Sequence, residues 1–229
     1  VGEADGQPYL SMEYIPGLSL RGWTRQQMAA GAECSMKTAA SIVREILAGL
    51  SAAHAAGVVH RDLKPENVML LSQPTDEAVR LKLLDFGIAR PPGAVDTGLT
   101  SAGTQRYMAP EQATAPDAAQ PSADLYSLSV IFYELLVGVT PQGHWQPPSG
   151  GRSDVPVAID ELIQQGLSNN PRMRPQSAEE YASALARALA GPGKIKPEPK
   201  RIGGDDMRRL FDRATEKVAE RTGKQGMRK

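Results

Sequence analysis

Three short segments, in one order, constrain this 229-residue chain more than anything else in it. His60-Arg61-Asp62-Leu63-Lys64-Pro65-Glu66-Asn67 is followed by Asp85-Phe86-Gly87, and that by Ala109-Pro110-Glu111. Any one of them can arise by chance, and a lone Asp-Phe-Gly carries little. Their order, their spacing and the Lys two residues past Asp62 make the set specific. Between the first and second lie two runs of strand character, residues 67–71 and 80–84, separated by the turn-rich Ser72-Gln73-Pro74-Thr75-Asp76. Residues 85–111 are rich in Gly and Thr and lack periodicity, which predicts a long functional loop rather than an element.

The rest of the chain reads as helical. Residues 8–14 alternate loosely after the Asp5-Gly6 turn and predict a strand that Pro16-Gly17 breaks. A short helix is expected over 20–28. A longer one is expected over 37–56, with Ile42, Ile46, Leu47, Leu50 and His54 at helical spacing. Further helices are predicted at 122–137, 157–167 and 178–190. Gly191-Pro192-Gly193 ends the globular part, and Lys196-Pro197-Glu198-Pro199-Lys200 reads as an extended linker. The expected class is mainly α, of α+β type, with a few short strands.

Composition narrows the setting. At 41% hydrophobic residues the chain can bury a sizeable core. Net charge is zero, but residues 1–190 carry 14 Lys and Arg against 20 Asp and Glu, whereas residues 191–229 carry 12 against 6. No nucleic-acid partner is expected. Cys34 is the only cysteine, so no internal disulfide can form, which fits a reducing cytosol. The apolar run from Leu125 to Val139 is interrupted by Glu134 and too short to span a bilayer. A cytoplasmic location is expected, with membrane anchoring of a longer protein left open.

On its three motifs the chain resembles a Ser/Thr protein kinase of the eukaryotic-like type common in bacteria. The likeness runs over roughly residues 8–190 and implies the large, C-terminal lobe of that fold. It divides the chain into a remnant of the small lobe with the hinge at 1–15 and the large lobe at 16–190. A linker at 191–204 and a basic amphipathic tail at 205–229 complete the division. By the resemblance, Asp62 accepts or orients the proton of an incoming hydroxyl, and Lys64 spreads charge over the transferred phosphoryl group. Asn67 and Asp85 supply oxygen ligands to Mg2+, with Mn2+ as an alternative metal. ATP is the implied nucleotide: Met12 would be the gatekeeper, the backbone of Glu13 and Ile15 would meet the adenine edge, and Met69 would pack beneath it.

The same likeness assigns a protein substrate bearing Ser or Thr, because Lys64 and Thr104 stand where the family marks that specificity. Thr104 belongs to the substrate platform. His60 and Phe86 resemble members of the internal hydrophobic spine, and Asp124 the helix residue that holds the catalytic-loop backbone. Glu111 and Arg174 resemble the buried ion pair anchoring the activation segment. Thr97, Thr100 and Ser101 are candidate phosphosites whose added charge, about −1.5 to −2, would pair with Arg61; unmodified loop residues are the alternative. His54 and His144 match nothing in the family, and His54 is expected to be a packed helix residue.

Two departures stand out. Residues 140–148 look like a loop where the family has a longer insertion with its own helix. Upstream of Met12 nothing resembles a glycine-rich phosphate loop, a strand Lys or its partnering Glu, and the first lysine is Lys37. The resemblance therefore predicts a chain that needs its smaller lobe, or a covering partner, for useful activity. A non-catalytic kinase-like scaffold is the competing reading. In the tail, Met207, Leu210, Phe211, Ala214 and Val218 fall at helical spacing behind Asp205 and Asp206. Docking on the large lobe, a juxtamembrane role and a solvated helix all remain open.

Overall fold

Two long helices with different burial requirements organise the fold of this computed structural model, which describes residues 2–4, 7–9, 13–86, 104–114, 120–143 and 145–191. The elements in chain order are β1 (Gly2–Ala4), β2 (Gln7–Tyr9), β3 (Leu18–Ser19), α1 (Leu20–Ala29), α2 (Met36–Ala55), β4 (Val68–Leu70) and β5 (Leu81–Leu83). They continue with α3 (Pro110–Thr114), α4 (Pro121–Val137), α5 (Val157–Gly166) and α6 (Ala178–Ala190). One-turn 3-10 helices occupy Pro65–Asn67, Thr104–Tyr107, Pro148–Gly150 and Pro171–Met173.

Ser35 starts α2: its Oγ accepts the Thr38 N–H at 3.0 Å, satisfying one of the unpaired donors of the first turn. One face of the helix then buries Ile42, Ile46 and Leu50, four residues apart. α4 is buried on nearly every side, from Ser122 through Leu136, as a helix apolar around most of its circumference must be. Pro121 opens it, where a missing N–H does no harm, and Gly138 closes it at φ 84°. α2, α4, α5 and α6 share one core with Leu20 and Trp23 of α1.

Antiparallel pairing sets β3, β4 and β5 side by side, with Leu18 opposite Leu70, Met69 opposite Lys82 and Val68 opposite Leu83. Gly17 is required at the entry to β3. Its φ is 150°, and a Cβ there would lie 2.2 Å from the Leu70 carbonyl oxygen. β1 and β2 form a separate antiparallel pair, Gly2 opposite Tyr9 and Ala4 opposite Gln7, and the expected Asp5-Gly6 turn lies outside the described residues.

The predicted strand at 8–14 is thus corrected. It runs Gln7–Tyr9, and residues 13–16 belong to no strand, because no neighbouring strand pairs with them. β3 is an addition, created by pairing with β4 rather than by any local run. Within the predicted loop at 85–111, the described part carries the Thr104–Tyr107 turn and the start of α3. Among the described residues between α4 and α5 only the Pro148–Gly150 turn is helical, so the short loop expected there is what forms. Residues 192–229, with the predicted linker and tail, lie outside the described residues, as does His144.

Candidate active site

Asp124, on the first turn of α4 and 1% exposed, is the anchor of the site. Its carboxylate accepts the backbone N–H of His60 and of Arg61, both at 2.8 Å, and Nε2 of His54 lies 2.8 Å from the same group. A buried carboxylate with three such partners fixes the loop that precedes Asp62. Arg61 holds φ 65° there, a left-handed backbone uncommon for a side-chain-bearing residue and maintained by this surrounding network.

Past that anchor the motif residues converge. Lys64 Nζ sits 2.8 Å from Asp62 Oδ2, and Asn67 Nδ2 donates to both the Asp62 carbonyl (2.9 Å) and Asp62 Oδ2 (3.2 Å). With its NH2 so engaged, the Asn67 amide has its carbonyl oxygen as the remaining ligand atom. The Asp62 side chain keeps 36% exposure, enough for a reactant to reach it. β4 and β5 follow, and they deliver Asp85 two residues past Leu83, exposed and at φ 52°. The Leu84 N–H, one residue before Asp85, donates to the Asn67 backbone carbonyl at 2.8 Å and ties the two backbones together. Among the described residues no group of three or more His, Cys, Asp and Glu is placed to hold a metal.

His60 is fully buried with its ring centroid 4.6 Å from that of Phe86. Neither of its ring nitrogens has a hydrogen-bond partner among the described residues, and burial holds the imidazole below its ordinary pKa. It is a neutral packing group. Glu111 and Arg174 meet in a two-pronged pair at 2.6 and 2.8 Å, with the guanidinium carbon also 4.9 Å from the Tyr126 ring centroid. Burial, the largest single influence, would raise the Glu111 pKa, but the Arg174 hydrogen bonding, a backbone hydrogen bond and the Arg174 charge together outweigh it and the net shift is downward.

Of the expected nucleotide contacts, Glu13 carries its carboxylate to Lys82 Nζ at 2.8 and 3.0 Å, Ile15 is half-buried, and Met69 lies half-buried on β4. Met12, Thr97, Thr100 and Ser101 lie outside the described residues, and Thr104 opens the turn Thr104–Tyr107.

Four positions in or beside the site escaped the motif reading. His54, expected to be a packed helix residue, also reaches Asp124. Gln112, 4% exposed, donates from Nε2 to the Arg61 carbonyl at 2.8 Å and accepts the Ala109 N–H at 3.0 Å. It ties the loop that carries Asp62 to the Ala109-Pro110-Glu111 segment. Ser127 donates to the Tyr107 carbonyl at 2.7 Å, and Arg21 reaches Glu66, Glu134 and Tyr107. Apart from the Ala109 N–H on Gln112, these partners lie 20 to 113 residues away and leave no local signal.

The helical body thus presents a carboxylate, a lysine and an amide on one loop, with a second carboxylate beyond a strand pair. The family description Protein kinase domain matches residues 1–190, and the chain belongs to that family, among its bacterial Ser/Thr members. It is 39% identical over 206 residues to the serine/threonine-protein kinase PknD of Mycobacterium tuberculosis, covering 82% of this chain and 29% of that protein. It is 36% identical over 216 residues to Pkn1 of Myxococcus xanthus, covering 86% of this chain and 30% of that protein. The chain thus spans less than a third of the length of these two curated relatives. The crystal structure of the PknI kinase domain of M. tuberculosis superposes with TM-score 0.60 at 30% identity, covering 82% of this chain and 68% of that one. The mainly helical class with a small sheet, expected from the motifs, is what this family and structure carry. Protein kinases use ATP and a divalent metal. Among the described residues no helix is long and apolar enough to cross a membrane.

Proposed function

We propose that this chain carries the phosphoryl-transfer site of a Ser/Thr protein kinase, using Mg-ATP and a protein hydroxyl. The observation that carries the reading is the hydrogen-bonded set Asp62, Lys64 and Asn67, on a loop held by the buried Asp124, with Asp85 following β5. A loop with no chemistry to perform has no physical need for these groups together. Asp62 binds the acceptor Ser or Thr hydroxyl and orients its oxygen for in-line attack. As the new O–P bond forms to the γ-phosphorus, the bond from that phosphorus to the β–γ bridging oxygen breaks, and ADP leaves with the electron pair. The hydroxyl proton passes to Asp62. Lys64 holds positive charge beside the transferring group, where it stabilises the spread negative charge. Asn67 and Asp85 would hold Mg2+, which supplies charge neutralisation at the phosphate oxygens.

The hinge assignments at Met12, Glu13 and Ile15, with Met69 beneath the base, belong to the same proposal, as do Thr104 in the substrate platform and the phosphosites Thr97, Thr100 and Ser101. The test is phosphate transfer from Mg-ATP to a generic basic protein, with the chain completed by a smaller lobe and with the Asp62→Asn variant of the same protein. Transfer is expected to fall by about 100-fold or more in the variant. Equal transfer by both would sink the role of Asp62, and nucleotide binding without any transfer would favour a scaffold.

A further inference from the structure

Arg21, on the second position of α1, is an arginine whose surroundings exceed what helix packing needs. Its side chain is 19% exposed and its donors point in three directions. Nε donates to Glu66 Oε1 at 2.9 Å, Nη1 donates to Glu134 Oε1 at 2.7 Å, and Nη2 donates to the Tyr107 hydroxyl. The Tyr107 hydroxyl in turn donates to Glu134 Oε2 at 2.5 Å, and the guanidinium carbon lies 5.7 Å from the Tyr107 ring centroid. Burial works against the charged form of Arg21, yet the bonds from Glu134 and Glu66 outweigh it and raise its pKa. Burial likewise raises the Tyr107 pKa, so the phenol stays protonated and keeps its donor.

The three partners belong to three working parts. Glu66 lies in the turn Pro65–Asn67, between Lys64 and the proposed metal ligand Asn67. Tyr107 closes the turn Thr104–Tyr107, which carries the proposed substrate platform, and is 3% exposed. Glu134 lies on α4, the helix that also anchors the catalytic loop through Asp124. A planar fork with five donors can bridge three such groups at fixed angles, whereas a lysine ammonium cannot. We propose that Arg21 is a positioning residue that holds the catalytic turn and the phosphoacceptor platform in register with each other through Glu66, Glu134 and Tyr107. The proposal rests on the kinase reading for its purpose, but its structural content stands apart from it.

Two backbone amides report on the two turns: Asn67 N–H, bonded to the Lys64 carbonyl at 2.9 Å, and Met108 N–H, bonded to the Gln105 carbonyl at 3.3 Å. Hydrogen exchange of the full chain should therefore separate the parts. Arg21→Met is expected to speed both amides by about tenfold or more, with α6 unchanged. Tyr107→Phe should speed Met108 alone. Arg21→Lys, which keeps the charge and loses the fork, should behave as Arg21→Met and serves in its place if the Met variant does not fold. Acceleration confined to α1, or none at either turn, overturns the proposal.

Where wild type transfers phosphate, Arg21→Lys should lower kcat/KM for protein substrate by about tenfold while KM for ATP stays within about twofold. Equal damage to both substrates also overturns it. A wild type that transfers nothing even when completed by a smaller lobe counts against the kinase reading, and the exchange result still decides Arg21.

Discussion

Single side chains explain how a charged site survives next to a hydrophobic core. Asp124 is nearly inaccessible, yet it accepts two backbone N–H groups and meets His54, so its charge is solvated by the protein instead of water. Glu111 and Arg174 solve the same problem by pairing. Arg174 is wholly buried at its side chain and Glu111 is 24% exposed. Removing the carboxylate strands a buried cation, so Glu111→Ala should destabilise the fold by about 3 kcal/mol at neutral pH, read from urea unfolding. The pH dependence has a defined sign. The folded pKa of Glu111 lies below the ordinary value of 4.5, so its contribution is fully present above about that pH. It is lost as pH falls through the depressed folded value. The gap between wild type and Glu111→Ala should therefore close in acid, and a gap independent of pH would contradict the pairing. Motif spacing singled out Asp62, Lys64, Asn67 and Asp85, and the family resemblance pointed to this ion pair. Arg21 and Gln112 were not, since only the folded chain brings them to partners 45 and 51 residues away.

Among the elements, the long helices and the β4–β5 pair were readable, and β1 and β3 were not. α2 and α6 announce themselves through serine caps and apolar spacing. The two-residue β3 exists because β4 lies beside it, a tertiary fact with no periodicity behind it. Close packing between helices is equally invisible locally. Gly166 ends α5 against α4, and a Cβ placed there would stand 1.9 Å from Ser129 Oγ and 2.8 Å from Ser129 Cβ. Ser129 cannot easily withdraw, because its hydroxyl donates to the Leu125 carbonyl and lies 3.1 Å from the Tyr181 hydroxyl. Gly166→Ala should therefore cost about 1–3 kcal/mol, despite alanine's better helix propensity. Adding Ser129→Ala should recover only part of the loss, since the contact with Cβ remains. A stabilising Gly166→Ala in thermal melts would show that α4 and α5 sit further apart than described.

At the scale of the whole molecule, the core and the site are one mechanical object. α4 contributes Leu125, Leu128, Ile131 and Phe132 to the core, and the same helix carries Asp124 and Glu134 to the catalytic loop and Arg21. Anything that loosens α4 should loosen the chemistry with it. The β1–β2 pair is a different case. Among the described residues its strands pair only with each other, and its Tyr9 is 53% exposed. Two strands alone are marginally stable in water. The two regions should therefore respond unequally to the same kind of damage. Ile46→Ala, at a fully buried position of α2, removes about 2–5 kcal/mol. For a chain of this length each kcal/mol moves the midpoint by about 2–4 °C, so the thermal transition should fall by at least about 4 °C. Tyr9→Ala should leave it within about 2 °C, because the pair opens locally before the core does. If Tyr9→Ala lowered the midpoint as far as Ile46→Ala, the pair would have to be folded into the cooperative unit that holds Asp62.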